Sequence, residues 1–272
     1  MTSLLSTILA VQWGIFIWDS YLMYRQFSLH KRTMKRPPEV ADIILEEKYD
    51  KARVYSIDRL SFKLFRGIID MLLTSVFLLG QYYSHVWEFS SSVSPSYPIP
   101  LFLAIHSLIS FILALPLDLY ENFVVEELHG FNNYTLNFFM VDKLKKTVVM
   151  YAISTPISMG IAWFIDNGGE YFFVYLWMFL SVIIFAMMTI YPAFIAPLFD
   201  TYIPLPDGEL KTAIEKLAAS LDYPLKKLFV VDGSNRSSHS NAYMYGFWKN
   251  KRIVLFDTLL RGDEKKKVSF QI

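Results

Sequence analysis

Five long apolar stretches, at about residues 4–24, 65–87, 99–120, 147–165 and 171–199, constrain this chain more than any motif it carries. A helix needs roughly 20 mostly apolar residues to cross the hydrocarbon core of a bilayer, and each stretch approaches or exceeds that length. The first is followed, not preceded, by basic residues (Arg25, His30, Lys31, Arg32, Lys35 and Arg36), which marks an uncleaved anchor with its N-terminus outside rather than a secretory signal. The loops agree. Segment 25–64 holds ten Lys and Arg, segment 121–146 three and segment 200–272 twelve, whereas segments 88–98 and 166–170 hold none. Arg66 alone is left, at the edge of the second stretch. Basic loops stay on the cytosolic side, so a five-span arrangement with a luminal N-terminus puts all 26 basic residues there.

Composition fits that arrangement and removes several alternatives. The chain is 54% hydrophobic and only 19% charged, below the quarter or so usual in soluble domains. A net charge of +1 gives no basic field for nucleic acid and no acidic tail for a charge-driven partner. With no cysteine there are no disulfides, thiolate metal sites, cysteine nucleophile or palmitoylation.

The spans carry polar residues: Asp19 and Asp70 in the first two, His106, Ser107 and Ser110 in the third, and Ser154, Thr155, Pro156 and Ser158 in the fourth. The acids either snorkel to the nearby cytosolic interface or face a wet interior; the hydroxyls suit helix–helix contacts. Outside the spans, Lys35-Arg36-Pro37-Pro38-Glu39 reads as a turn and helix start, with a charged helix over residues 40–65. Gly130-Phe131-Asn132-Asn133 reads as a helix stop. After residue 200 the character changes. Asp207 is placed as an N-cap, and Leu210, Ile214, Leu217 and Leu221 recur at helical spacing before Pro224. Segments 228–231 and 252–256 read as strands, and 240–248 fits a third.

Glu126 and His129 stand at i, i+3 on one helix face, but a di-iron bundle needs two such pairs with further Glu residues, and only one is present. H-E-x-x-H, which would set two histidines around zinc, occurs nowhere. Ser237-Ser238-His239-Ser240 reads as a turn packed by polar contacts rather than a nucleophile with its base. The sequons at Asn133 and Asn235 fall on the cytosolic side and are chance matches.

Four segments together resemble the type 1 CAAX prenyl endoproteases. They are Glu126-Glu127-Leu128-His129-Gly130-Phe131-Asn132; Ala196-Pro197-Leu198-Phe199-Asp200 with Pro204-Leu205-Pro206; residues 233–246, containing Ser237-Ser238-His239-Ser240-Asn241-Ala242-Tyr243; and residues 252–260. They come in family order and spacing, over residues 12–260. The resemblance implies a zinc metalloprotease of the endoplasmic reticulum and inner nuclear membranes. Seven spans enclose a water-filled chamber, a cytosolic protease domain caps it, and prenylated CAAX proteins are the substrates. It also implies that Asn241, Ala242 and Tyr243, with Tyr245, form a substrate-binding edge strand beside the zinc, to which an extended peptide adds by main-chain bonds. The packing alternative, in which these tyrosines merely fill the sheet, stays open. In the family H-E-x-x-H, a third ligand Glu and two further spans follow the point where this sequence ends, and residues 261–272 read as a divergent charged tail.

The expected fold is therefore an all-α polytopic membrane protein with five transmembrane helices and a luminal N-terminus, followed by the incomplete start of a cytosolic α+β metalloprotease domain. The membrane domain occupies residues 1–199, with cytosolic loops 25–64 and 121–146, and the protease portion residues 200–260. The expected function is the N-terminal part of a membrane zinc metalloendopeptidase for prenylated CAAX proteins, catalytically incomplete, with no catalytic residue and no metal ligand in the chain. Zinc belongs to the full-length family. The expected partners are the lipid bilayer and prenylated CAAX polypeptides, without nucleic acid, in the endoplasmic reticulum membrane. The alternative is a non-catalytic membrane protein that binds prenylated substrates or partners the full-length protease.

Overall fold

The apolar stretches are helical in the computed structural model, which describes residues 2–246, 248 and 250–260. The tail at 261–272 lies outside the described residues. The chain divides into two compact units, Met1–His129 and Gly130–Ile272.

In the first unit α1 (Thr2–Arg32) and α2 (Glu46–Leu79) form an antiparallel hairpin. Trp13 Nε1–H donates to Ser75 Oγ at 3.2 Å at one level and Tyr49 OH to Thr33 O at 3.1 Å at another. Gly67 allows the close approach, since a Cβ there would stand 3.3 Å from the Phe16 ring. Two expectations are corrected here. The charged helix over 40–65 and the second apolar stretch are one helix, which starts only at Glu46 after a 3₁₀ turn at Pro38–Val40. That stretch is also not a single helix: it breaks at Gly80 and at Gln81, whose φ is +54°, and resumes as α3 (Tyr82–Val93). Glycine is the poorest helix former after proline, and the run after it turns polar at Gln81, Tyr82, Tyr83, Ser84 and His85 before Val86.

Helix α4 (Pro98–Tyr120) opens on a proline, carries Pro116 near its end and widens into a π-helical turn at Glu121–Glu126. Gly130, with φ +72°, provides the expected helix stop. The end of α4 and this turn are fastened to one face of α2. Arg66 pairs with Asp118 at 2.7 Å and Glu121 at 2.9 Å, Phe62 stacks on Tyr120 at 5.4 Å, Tyr55 OH donates to Glu126 at 2.8 Å, and His129 Nε2 meets Asp58 at 2.9 Å. Glu126 and His129 thus hold helices together.

In the second unit α5 (Leu136–Asn167), capped by the Thr135 hydroxyl, turns into α6 (Phe172–Ile190). A π turn at Tyr191–Ile195, containing Pro192, and a 3₁₀ turn at Ala196–Leu198 end the hairpin. Among the described residues three helical stretches are long and apolar enough to cross a membrane: Pro98–Glu126, Leu136–Asn167 and Gly169–Leu198. The apolar run of α1, not the helix itself, is interrupted by Gln12, Asp19 and Ser20, and the apolar half of α2 is cut short at Gly80.

Beyond α6 a four-stranded sheet runs in the order β1-β2-β4-β3, from β1 (Tyr202–Pro204), β2 (Leu225–Val231), β3 (Ala242–Tyr245) and β4 (Lys251–Phe256). β1 is antiparallel to β2, β4 parallel to β2, and β3 antiparallel to β4. The expected third strand covers only four residues of the proposed nine, and β1 was hidden by the prolines at 204 and 206. Leu205, Leu228, Val230 and Leu255 form the core, covered by Ile214 of α7 (Glu209–Ser220). Gly208, not Asp207, is the N-cap of α7, and Asp207 instead pairs with Lys211 at 2.6 Å. The expected apolar stripe on α7 is only partly used: Ile214 packs inward, while Leu210, Leu217 and Leu221 are exposed.

Candidate functional site

Parts of all four segments that carry the family resemblance meet in the second unit. The strap after the helix stop, residues 131–134, lies along residues 234–239, which lead into β3. Asn132 and Ser237 form an antiparallel bridge. Asn133 N–H donates to Arg236 O at 3.1 Å, and its side-chain amide donates to Ser234 O at 2.8 Å and Ser238 Oγ at 3.0 Å. Ser238 N–H and Ser237 Oγ both donate to Phe131 O, at 3.0 and 3.1 Å, and the His239 ring stacks on Phe131 at 4.1 Å. The polar contacts expected at 237–240 are present and the Ser237 hydroxyl is engaged by backbone, but the turn itself comes earlier, at Gly233–Asn235, and Ser237 stands in the extended bridge. Asp257, fully buried, accepts Ser234 N–H at 2.9 Å and fixes the other end of the loop.

Under this loop lies one buried charge network. Arg236 N–H groups donate to Asp142 at 2.9 Å, to Phe199 O at 2.6 Å and to Asp200. Asp142, only 5% exposed, also takes Lys146 at 2.7 Å and Tyr134 OH at 3.0 Å. Two acids face two bases, so no bare charge is left in an apolar surround, where it would be very costly. Burial works against the Arg236 charge, but its hydrogen bond to Asp142 and the carboxylates of Asp200 and Asp142 prevail and hold it above its usual range. Burial, then the Asp142 charge, pushes the Tyr134 phenol up. Arg236 and Asp142 were missed by sequence reasoning; the one available signal was an acid set among Lys143, Lys145 and Lys146 at the mouth of an apolar stretch.

Beside this network opens a cavity of about 830 Å³. Its walls are apolar, from Val149, Met150, Ile153, Met187, Tyr191 and Ile195; its rim is polar, from Lys146, Asp200, Arg236, His239 and Asn241. Strand β3 borders it. Phe256 N–H donates to Asn241 O at 2.9 Å, so Asn241 faces β4. In an antiparallel ladder backbone groups alternate sides, and Ala242 and Met244 therefore turn their N–H and C=O to the outer edge, where no described strand pairs with them. Asn241 Oδ1 covers the Ala242 N–H at 2.8 Å. Tyr243 and Tyr245 share a sheet face: Tyr243 OH bonds Tyr202 OH at 2.9 Å and its ring lies edge-on to Phe256, while Arg252 sits over Tyr245 at 5.7 Å. Their side chains pack the sheet, and the groups left facing outward are main-chain groups.

The five histidines are each engaged separately. His30 bonds Gln26, His85 bonds Gln81 O, His106 bonds Tyr82, His129 bonds Asp58 and His239 stacks on Phe131. Among the described residues no three His, Asp or Glu side chains gather as a metal would require. Zinc sites need three or four such ligands at once, so these residues do not fit one.

The family model described as "CAAX prenyl protease N-terminal, five membrane helices" matches residues 26–201, and that for peptidase family M48 matches residues 204–268. The CAAX prenyl protease 1 homolog of Caenorhabditis elegans is 55% identical over 97% of this chain and 60% of its own length. The Homo sapiens homolog is 44% identical, over 93% of this chain and 55% of its own. The crystal structure of S. mikatae Ste24p matches with a TM-score of 0.86 at 39% identity, covering 94% of this chain and 62% of that one. The chain thus spans a little over half the length of the relatives it matches. With one family model covering most of its helical part and a second continuing through its sheet, the chain belongs to the CAAX prenyl protease family of multi-pass membrane proteins, within the zinc metalloproteases of peptidase family M48.

Proposed function

We propose that this chain is the N-terminal part of a membrane metalloendopeptidase that processes prenylated CAAX proteins, catalytically incomplete in this form, and that β3 supplies the edge to which an extended substrate adds. The observation that carries the reading is the outer edge of β3: the backbone of Ala242 and Met244 faces away from β4 beside the 830 Å³ apolar cavity. Such an edge binds a peptide through main-chain bonds, with nearby pockets taking side chains. Asn241 Oδ1 holds the Ala242 N–H until a substrate carbonyl replaces it. Five spans with a luminal N-terminus, in the endoplasmic reticulum membrane, complete the reading; its support is the one-sided distribution of Lys and Arg.

The test uses a farnesylated CAAX peptide carrying a photoreactive group and the 272-residue protein in detergent. Crosslinks are expected at residues 241–245 and at the cavity wall, with no chelator-sensitive cleavage and no stoichiometric zinc by elemental analysis. Crosslinking no stronger than that of an unprenylated, scrambled peptide overturns the substrate edge. Cleavage abolished by chelator overturns the incompleteness.

A further inference from the structure

The end of α1 carries a second interaction surface. It lies outside the protease reading, but it rests on α1 being a membrane helix whose C-terminal end is cytosolic, as proposed above.

On α2 several cations have carboxylate partners. Lys51 pairs with Glu47 at 2.7 Å, Arg53 with Asp50 at 2.7 Å, and Arg66 with Asp118 and Glu121. The twelve residues 25–36 are different. They hold Arg25, Lys31, Arg32, Lys35 and Arg36, and no acid occurs in the sequence between Asp19 and Glu39. None of the five is ion-paired among the described residues. Arg36 turns back onto the carbonyls of Ala41 and Ile44 and so fixes the turn. Arg25, Lys31, Arg32 and Lys35 are exposed, and Arg25 and Arg32, two turns apart, border one groove on the helix with Tyr21 and Tyr24.

The same face shows where this patch sits. Trp18, Tyr21 and Tyr24 are 60%, 49% and 58% exposed and immediately precede the cations. Exposed Trp and Tyr concentrate at the level of lipid headgroups, and the headgroup layer is only about 5–7 Å deep on each side. At 1.5 Å per residue, Arg25 and Arg32 stand about 10 Å apart along the axis, enough to span that layer. An anion reaching this patch meets several unneutralised donors at once.

We propose that the end of α1 is a binding site for acidic phospholipids of the cytosolic leaflet. Arg25, Lys31, Arg32 and Lys35 take the anionic headgroup, Tyr21 and Tyr24 lie along the upper acyl chain, and Arg36 holds the turn. Clusters of this kind directly after a membrane helix attract acidic lipid, and Arg offers a phosphate two parallel donors.

The 272-residue protein is reconstituted in nanodiscs of phosphatidylcholine with a minor fraction of phosphatidylserine or a phosphoinositide, and lipid retained after extraction is measured by native mass spectrometry. Acidic lipid is expected to be enriched several-fold over its bulk fraction. The R25Q/K31Q/R32Q/K35Q protein loses that enrichment, R25K/R32K keeps most of it, and K216Q/K226Q/K227Q, which removes exposed cations elsewhere, leaves it unchanged. Soluble inositol phosphate at equal concentration is expected not to displace the lipid; displacement makes this a free-phosphate site and overturns the proposal. Equal enrichment with the quadruple substitution, or equal loss in the control, also overturns it. A glycosylation sequon placed in segment 88–98 reports orientation in the same samples, so a reversed α1, which defeats the topology reading, is told apart from an α1 that binds no lipid.

Discussion

Arg236 joins three parts of the second unit through one side chain. Its guanidinium reaches Asp142 of α5, Asp200 and the Phe199 carbonyl after α6, and its backbone carbonyl accepts from Asn133 of the strap. Removing one partner of a buried pair leaves the other charge uncompensated, at about 3–5 kcal/mol. R236A is therefore expected to lower the thermal midpoint in detergent far more than R252A, whose side chain rests on Tyr245 at the surface. R236K is expected not to rescue it, because an ammonium cannot serve several acceptors in the fixed fork of a guanidinium. A midpoint for R236A equal to wild type refutes the role. Ala242 gives the complementary case. Its N–H faces outward, a position that accepts proline without loss of the ladder. A242P is expected to fold normally and to bind the farnesylated peptide several-fold more weakly, about one hydrogen bond's worth of 1 kcal/mol; undiminished binding assigns the strand to packing alone. The residues of β3 were legible because they lie together in one motif. Arg236 was not, since its partners lie 94 and 36 positions away and a long-range ion pair leaves no local pattern.

The helices were legible where the apolar run and the helix coincide, as in α4 and the start of α6, and less so where they part: α5 begins at Leu136, within the expected loop 121–146 and eleven residues before its apolar run. Gly80 and Gln81 end α2 where the apolar run gives way to Tyr82, Tyr83, Ser84 and His85, and β1 is three residues in a run of breakers, held by its pairing to β2 and by the Tyr202–Tyr243 hydroxyl bond. On α7 the helical spacing was right, yet it could not tell that Ile214 alone of the four would pack against the sheet core. The same elements bear on topology. Sequons engineered at 94–97, in the turn between α3 and α4, are expected to be glycosylated. The native Asn133 and Asn235 are expected to stay unmodified. Both amide nitrogens are already committed, to Ser234 O and Ser238 Oγ and to Asp232 Oδ2. Sugar on either native site would overturn the orientation.

Across the whole molecule the exposed apolar surface is uneven in meaning. On α4, α5 and α6 it is the surface a bilayer covers. Leu217 on α7 and Leu221 at its C-cap are 61% and 69% exposed on a sheet-covering helix and its end, where exposed apolar groups favour aggregation. L217Q/L221Q is expected to leave the unfolding midpoint nearly unchanged, within about 0.5 kcal/mol, and to slow aggregation of the purified protein measured by light scattering. A large loss of stability would mean that these leucines are packed. The stitching of the strap to the β3 leader has a consequence in time. Its hydrogen-bonded groups lie 101 to 107 positions apart, so at about 5–20 residues per second of synthesis the strap emerges roughly 5–20 seconds before its partner. Throughout that interval α5 and α6 are being threaded into the bilayer while Phe131 and Asn133 wait unclaimed. A chaperone or a stalled ribosome acting in that window meets a nascent protein whose membrane part is ahead of its sheet.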